Sequence, residues 1–130
     1  MELIKGIQGR KDIVVTPEKT AKTVGSGLLE VFATPAMIAL MEEVASESVA
    51  PALAEGSTTV GTLVNVAHVA ATPVGAPVWC ETELIEVEGR KLTFTVKAYD
   101  NAGLIGEGTH ERFIVFSEKF MAKTNAKLEK

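Results

Sequence analysis

This chain of 130 residues carries groups able to do acid–base or nucleophilic chemistry, among them the Thr34 hydroxyl, the Glu42 carboxylate and the His68 imidazole. A hydroxyl can attack a carbonyl or donate a hydrogen bond to it. A carboxylate can attack, activate water or orient an imidazole. A neutral imidazole can take a proton from water or from a hydroxyl near neutral pH. Each residue also has an ordinary structural role. Thr34 reads as a helix N-cap, with Pro35 in the first helical position where no N–H is needed. A capping oxygen is poorly free to attack, so a chemical role for Thr34 requires the cap to be made elsewhere. Glu42 reads equally as a charge on a helix rim, and His68 as a core or interface histidine.

Two further positions bear on a site. Gly61 sits in a strand and has no side chain to pack, which suits either close backbone approach by a ligand or a bulge. In Thr109-His110-Glu111-Arg112, His110 and Arg112 share one strand face. Arg112 there is suited to hold a glutamate or a ligand phosphate, or to make an ordinary cross-strand ion pair. His68 and His110 are the only histidines. They lack a neighbouring Asp, Glu or Cys spacing pattern, so no metal is expected. Cys80 reads as a buried small residue. A Gly-x-Ser-x-Gly elbow is absent, which argues against an α/β-hydrolase.

The elements that position these groups follow from periodicity. From Thr34 to the limit set by Pro51, the chain reads as one helix. Met37, Met41, Val44 and Ala45 centre its apolar face, and Ile38, Leu40 and Val49 widen it. Glu42 lies at the border of that arc, while Glu43 and Glu47 point away. So apolar a helix needs cover on most sides, and a sheet that wraps it is the economical cover. Before it, a short strand is expected at Asp12 to Thr16, then a loop from Glu18 to Gly27 with a second short strand at Lys22 to Val24. After it, the pattern turns to β. Strands are expected at Thr58 to Ala70, Val78 to Val87, Lys91 to Tyr99 and Leu104 to Phe116, joined by turns rich in Gly and Pro. The first of these is apolar on both faces, as suits a strand buried on both sides or at a subunit contact. The tail from Ser117 is expected to be weakly helical at best.

Length and composition bound the rest. One domain spanning residues 1–130 is expected, large enough for its own core. The hydrophobic content of 46% excludes disorder. No apolar run has the length of a membrane span, and the start of the chain does not read as a signal peptide. A lone cysteine rules out an internal disulfide framework, which fits a cytoplasmic protein. The formal net charge of −4 argues against general nucleic-acid binding. Charge is unevenly spread: no Lys or Arg lies between Thr23 and Gly89, where nine Glu fall. An anionic ligand would be gripped by the chain ends, the last strands or a second subunit, unless the cationic ends are simply solvated.

One long apolar helix and about five mostly antiparallel strands make an α+β layout with the outline of a hot-dog fold. A unit this small is expected to bury its remaining strand surface by pairing, as a homodimer or a tetramer. Several blocks extend the reading: Glu30-Val31-Phe32-Ala33-Thr34, Leu40-Met41-Glu42, Val60-Gly61-Thr62, Val66 through Pro73, Val87 through Leu92, Gly106 through Arg112, and Glu118-Lys119-Phe120. In order and spacing they resemble the fluoroacetyl-CoA thioesterase group of hot-dog proteins, from about Glu30 to the tail.

The resemblance implies hydrolysis of an acyl-CoA thioester, with Thr34, Glu42 and His68 as the working residues. It further implies a substrate carbonyl contact at the Gly61 backbone and a strand arginine at Arg112. Coenzyme A is then part of the substrate, and no separate cofactor is needed. The family's aromatic lid residues, which gate the fluorinated acyl group, are replaced here by Gly25 and Leu28. Two other hot-dog functions compete with hydrolysis: acyl-CoA binding without turnover, and enoyl hydration or dehydration. Thr34 and Glu42 stand eight residues apart, a rise of about 12 Å on one helix. Either Thr34 folds back from a late helix start, or residues of two subunits meet at the site.

Overall fold

The computed structural model describes residues 1–130. Its main elements are β1 (Gln8–Val14), α1 (Ala21–Val24), α2 (Thr34–Val49), β2 (Ser57–His68), β3 (Pro77–Glu88), β4 (Lys91–Asp100), β5 (Gly103–Phe116) and α3 (Ser117–Asn125). The five strands form one antiparallel sheet in the order β1-β3-β4-β5-β2. α2 lies against its concave face and packs on every strand. This α+β arrangement, a sheet curved around one long helix, is the hot-dog architecture expected from the pattern of elements.

The core is the seam between α2 and the sheet. Met37, Leu40, Met41, Val44, Ala45 and Val49 are buried on the helix side. Val78, Cys80, Leu84, Leu92, Phe94, Val96 and Ala98 face them from β3 and β4. Every second residue of β4 points inward, which reproduces the alternation read from its sequence. Cys80 is fully buried, and burial pushes its thiol up to about 12. A thiol so placed is an inert packing group. No helix is long and apolar enough to cross a membrane.

Several expectations need correction. Ala33, not Thr34, is the N-cap of α2; its backbone is extended, and Thr34 is already helical. The N-cap makes no side-chain hydrogen bond to the helix, so the Thr34 hydroxyl is free of that duty. β1 starts at Gln8 rather than Asp12, because pairing with β3 organises its polar first half. Lys22 to Val24 is not a strand but part of α1, which the Thr20 hydroxyl caps by accepting from the Thr23 N–H. Gly25 ends that turn at φ 91°, a left-handed conformation that glycine adopts without penalty. The tail forms a true helix, α3, although its residues are mostly exposed.

β2 departs most from its pattern. It is not buried on both sides but forms the edge of the sheet, bonded only to β5. A bulge at Thr62 shifts its register, so that Gly61 pairs with Arg112 and Leu63 with Glu111. The extra residue reverses the parity of the strand. Thr59 and Gly61 point inward before it, and Val66 and His68 after it.

Met37 anchors the first turn of α2 and is fully buried beneath Gly106, where an added Cβ would strike its sulfur. Met37→Ala is expected to destabilise the fold by about 2–5 kcal/mol. Urea denaturation followed by circular dichroism measures this directly.

Candidate active site

α2 and β2 cross, and the polar groups inside the fold gather at two places along that crossing. The first is the N-terminal end of α2. The Thr34 Oγ1 lies 2.7 Å from Nδ1 of His68, the last residue of β2. Phe32 meets the His68 ring edge-on, with centroids 6.4 Å apart. Beside the pair opens a pocket of about 260 Å³, lined mainly by small residues including Ala21, Ser26, Ala70 and Ala71. Burial lowers the His68 pKa below the usual 6.5, opposed in part by the Ala70 backbone. The buried Nε2 has no hydrogen-bond partner.

This arrangement supports two chemistries, according to which ring nitrogen holds the proton. With Nδ1 bare, Thr34 donates to it, and a lone pair on the Thr34 oxygen is left to attack. With the proton on Nδ1, the ring donates to Thr34, whose own O–H is left to bind a substrate oxygen. In both cases the positive end of the α2 dipole lies beside the hydroxyl and favours negative charge developing there.

The second place is one face of β5 and β2 under the middle of α2. Arg112 is 7% exposed, and its guanidinium is clamped by Thr59: Nε donates to Thr59 Oγ1 at 2.8 Å and Nη2 to the Thr59 carbonyl at 3.0 Å. Nη1 reaches toward Glu42 Oε2 at 3.5 Å and donates to His110 Nε2 at 3.2 Å. The Glu42 side chain remains 40% exposed, so one side of its carboxylate is open. Burial lowers the Arg112 pKa, and the neighbouring Glu42 opposes that shift. Gly61 lies directly beneath: a Cβ there would strike Glu42 Oε2 and would approach Arg112 Nη1 and His110 Cε1 to 3.3 Å. Glycine is needed here for room rather than for backbone freedom.

Thr34 and His68 are therefore brought together, as are Glu42, Gly61 and Arg112, but the two groups are separate within one chain. Because Thr34 is helical, it cannot fold back toward Glu42, and the rise of about 12 Å along α2 stands between them. The role of His110 was not read from the sequence beyond its sharing a face with Arg112. Its placement depends on the register of β5 against the bulged strand, for which there is no local sequence signal.

The chain matches the family described as fluoroacetyl-CoA-specific thioesterase over residues 15–118. The fluoroacetyl-CoA thioesterase of Streptantibioticus cattleyicolor is 43% identical over 122 residues, covering 89% of this chain and 88% of that protein. A solved structure of the fluoroacetyl-CoA thioesterase FlK superposes with a TM-score of 0.93 at 40% identity, covering 98% of each chain. A thioesterase superfamily member from Thermus thermophilus superposes with a TM-score of 0.89 at 30% identity, covering 97% of this chain and 93% of that one.

Gly61→Ala would place a methyl group where the Glu42 carboxylate now lies. A crystal structure of the variant is expected to show Glu42 rotated away from Arg112. An unmoved carboxylate would contradict the packing described above.

Proposed function

The chain belongs to the fluoroacetyl-CoA-specific thioesterase family, and we propose that it hydrolyses a short-chain acyl-CoA to free acid and CoA at a site shared by two subunits. Thioester hydrolysis is the activity of the family. The observation that carries the finer reading is the division of its polar groups, with Thr34 and His68 at one end of α2 and Glu42 on the far side of two helical turns.

Pairing of two chains through β2 supports a shared site. β2 is a long edge strand with one side unpaired, and it exposes Leu63 and Val64. Such an edge is a ready template for a second strand. In an antiparallel two-fold pair centred on Asn65, with the Thr62 bulge counted as one position on each strand, Gly61 lies across from the partner subunit's His68. Glu42, which rests on Gly61, then faces the Thr34–His68 pair of the other chain. A homodimer is sufficient for this arrangement.

In this reading the small pocket beside Thr34 takes the acyl group. Glu42 takes a proton from the attacking water, whose oxygen bonds to the thioester carbon, or attacks that carbon itself to give an anhydride that water then opens. His68 relays the proton that ends on the departing CoA sulfur. Thr34 holds the carbonyl, or attacks it, giving its proton to His68 and expelling the CoA sulfur to leave an acyl ester that water then cleaves; the Gly61 N–H donates to the carbonyl oxygen as negative charge develops. The chemistry is complete with these groups and water, and it calls on no metal or additional cofactor. Acyl-CoA is the proposed partner; the formal net charge of −4 argues against general nucleic-acid binding, and no helix is long and apolar enough to cross a membrane. The cytoplasm, where acyl-CoA is at hand, is the proposed location.

Leu28 is 90% exposed and does not close over the pocket, and Gly25 offers no side chain to do so. Without an aromatic lid, discrimination for a fluorinated acyl group is expected to be weak, and acetyl-CoA and other short acyl-CoAs should be turned over comparably. Thiol release from a panel of acyl-CoAs tests this preference.

Co-expression tests the shared site. Thr34→Ala and Glu42→Gln chains should each be inactive alone. Mixed dimers of the two regenerate one intact site, so about a quarter of wild-type thiol release should return. A site contained within one chain would give no recovery.

A pH–rate profile tests the base. His68 must be neutral to accept a proton, and burial lowers its pKa. Activity should therefore be full at and above neutral pH and fall in acid, with an inflection below 6.5. His68→Ala should remove most of the turnover, by about 10²-fold or more.

A further inference from the structure

Apart from Cys80, His110 is the most deeply buried titratable residue of the fold, at 1% exposure, and the reaction outlined above makes no use of it. Its ring is fully partnered. Arg112 Nη1 lies 3.2 Å from Nε2, and an arginine only donates, so Nε2 accepts. Nδ1 must then carry the proton, which it donates to the Leu63 carbonyl at 2.8 Å. Leu63 is the residue that resumes pairing after the Thr62 bulge. The Phe94 ring stacks on the imidazole at 6.1 Å and fixes its plane. Glu42 from α2 and Glu111 from β5 are the charged neighbours besides Arg112.

We propose that His110 is a positioning residue for the hydrolysis. It accepts from the Arg112 nitrogen that faces Glu42 and grips the bulge in β2, so that Arg112 holds the Glu42 carboxylate over Gly61. Thr59 fixes two of the guanidinium nitrogens, and His110 fixes the third. Without an acceptor at Nε2, Nη1 can tilt away and the carboxylate loses its seat. Burial, above all, and the Arg112 charge keep the ring neutral, which an acceptor requires, while its bond to Leu63 works in the opposite sense.

The proposal rests on the thioesterase reading with Glu42 in the site. Two conservative variants separate positioning from simple support of the bulge. The amide of glutamine can occupy the place of Nε2 and accept from Arg112. That of asparagine can occupy the place of Nδ1 and donate to Leu63. The experiment measures kcat and KM for thiol release from acetyl-CoA by wild type, His110→Gln and His110→Asn, with melting curves for each. A ¹⁵N NMR spectrum of the wild-type imidazoles gives the tautomer.

His110→Gln is expected to keep kcat within about threefold of wild type. His110→Asn should lose about tenfold or more in kcat with KM little changed. The spectrum should show His110 with a protonated Nδ1 and a bare Nε2. An asparagine variant as active as the glutamine variant, or more so, would overturn the proposal. If neither variant folds, the spectrum decides: a bare Nε2 upholds the contact with Arg112, and a protonated Nε2 removes it. If wild type hydrolyses no acyl-CoA, the thioesterase reading fails. The spectrum still decides separately whether His110 accepts from Arg112.

Discussion

Helix α2 is apolar around most of its circumference, and one five-stranded sheet is all the chain supplies to cover it. Burial at roughly 25 cal/mol per Å² of apolar surface makes that cover the main favourable term in folding. The sheet therefore curves, and its edge strand β2 runs across α2 from the middle of the helix to its start. Every polar group of the candidate site lies along this crossing. His68 reaches the first turn of α2, and Gly61 lies beneath Glu42. The site is a consequence of how the helix is buried.

The two polar clusters differ in electrostatic character, and this bears on their tasks. Thr34 and His68 form a neutral pair at a helix N-terminus, a setting that welcomes developing negative charge. Arg112 is a buried cation whose burial is offset by several hydrogen bonds and by one half-exposed carboxylate. Removing a partner from such a group is costly, because the charge that remains is poorly solvated. The cluster is rigid for that reason. Rigidity under Glu42 is useful where a carboxylate must act at a fixed point, and an open side is needed for water and substrate to reach it.

A single additional residue connects these clusters. Gly61 and His68 are an odd number of positions apart, so a regular strand would send them to opposite faces. The bulge at Thr62 brings both inward, and the Thr62 hydroxyl donates to the Glu111 carbonyl at 3.2 Å to hold it. Bulges of this kind re-aim side chains near functional sites. Here the bulge serves both clusters: it turns His68 toward Thr34 and offers the Leu63 carbonyl to His110.

The sequence by itself determined the long helix, the four later strands and the hot-dog outline, and it nominated the residues proposed for the site. These were legible because burial on one face imprints a period of 3.6 or 2 on nearby residues, and because the blocks around Thr34, Gly61, His68 and Arg112 match a family in order and spacing. The tertiary structure alone decided who meets whom. It moved the cap to Ala33 and released the Thr34 hydroxyl, turned Lys22 to Val24 into a helical turn, put β2 at an edge and reversed its parity. It also joined Arg112 to Glu42 and His110. Periodicity records which way a side chain faces within its own element. Register, bulges and partners depend on the free energy of two distant segments together, and no short stretch of sequence carries that information.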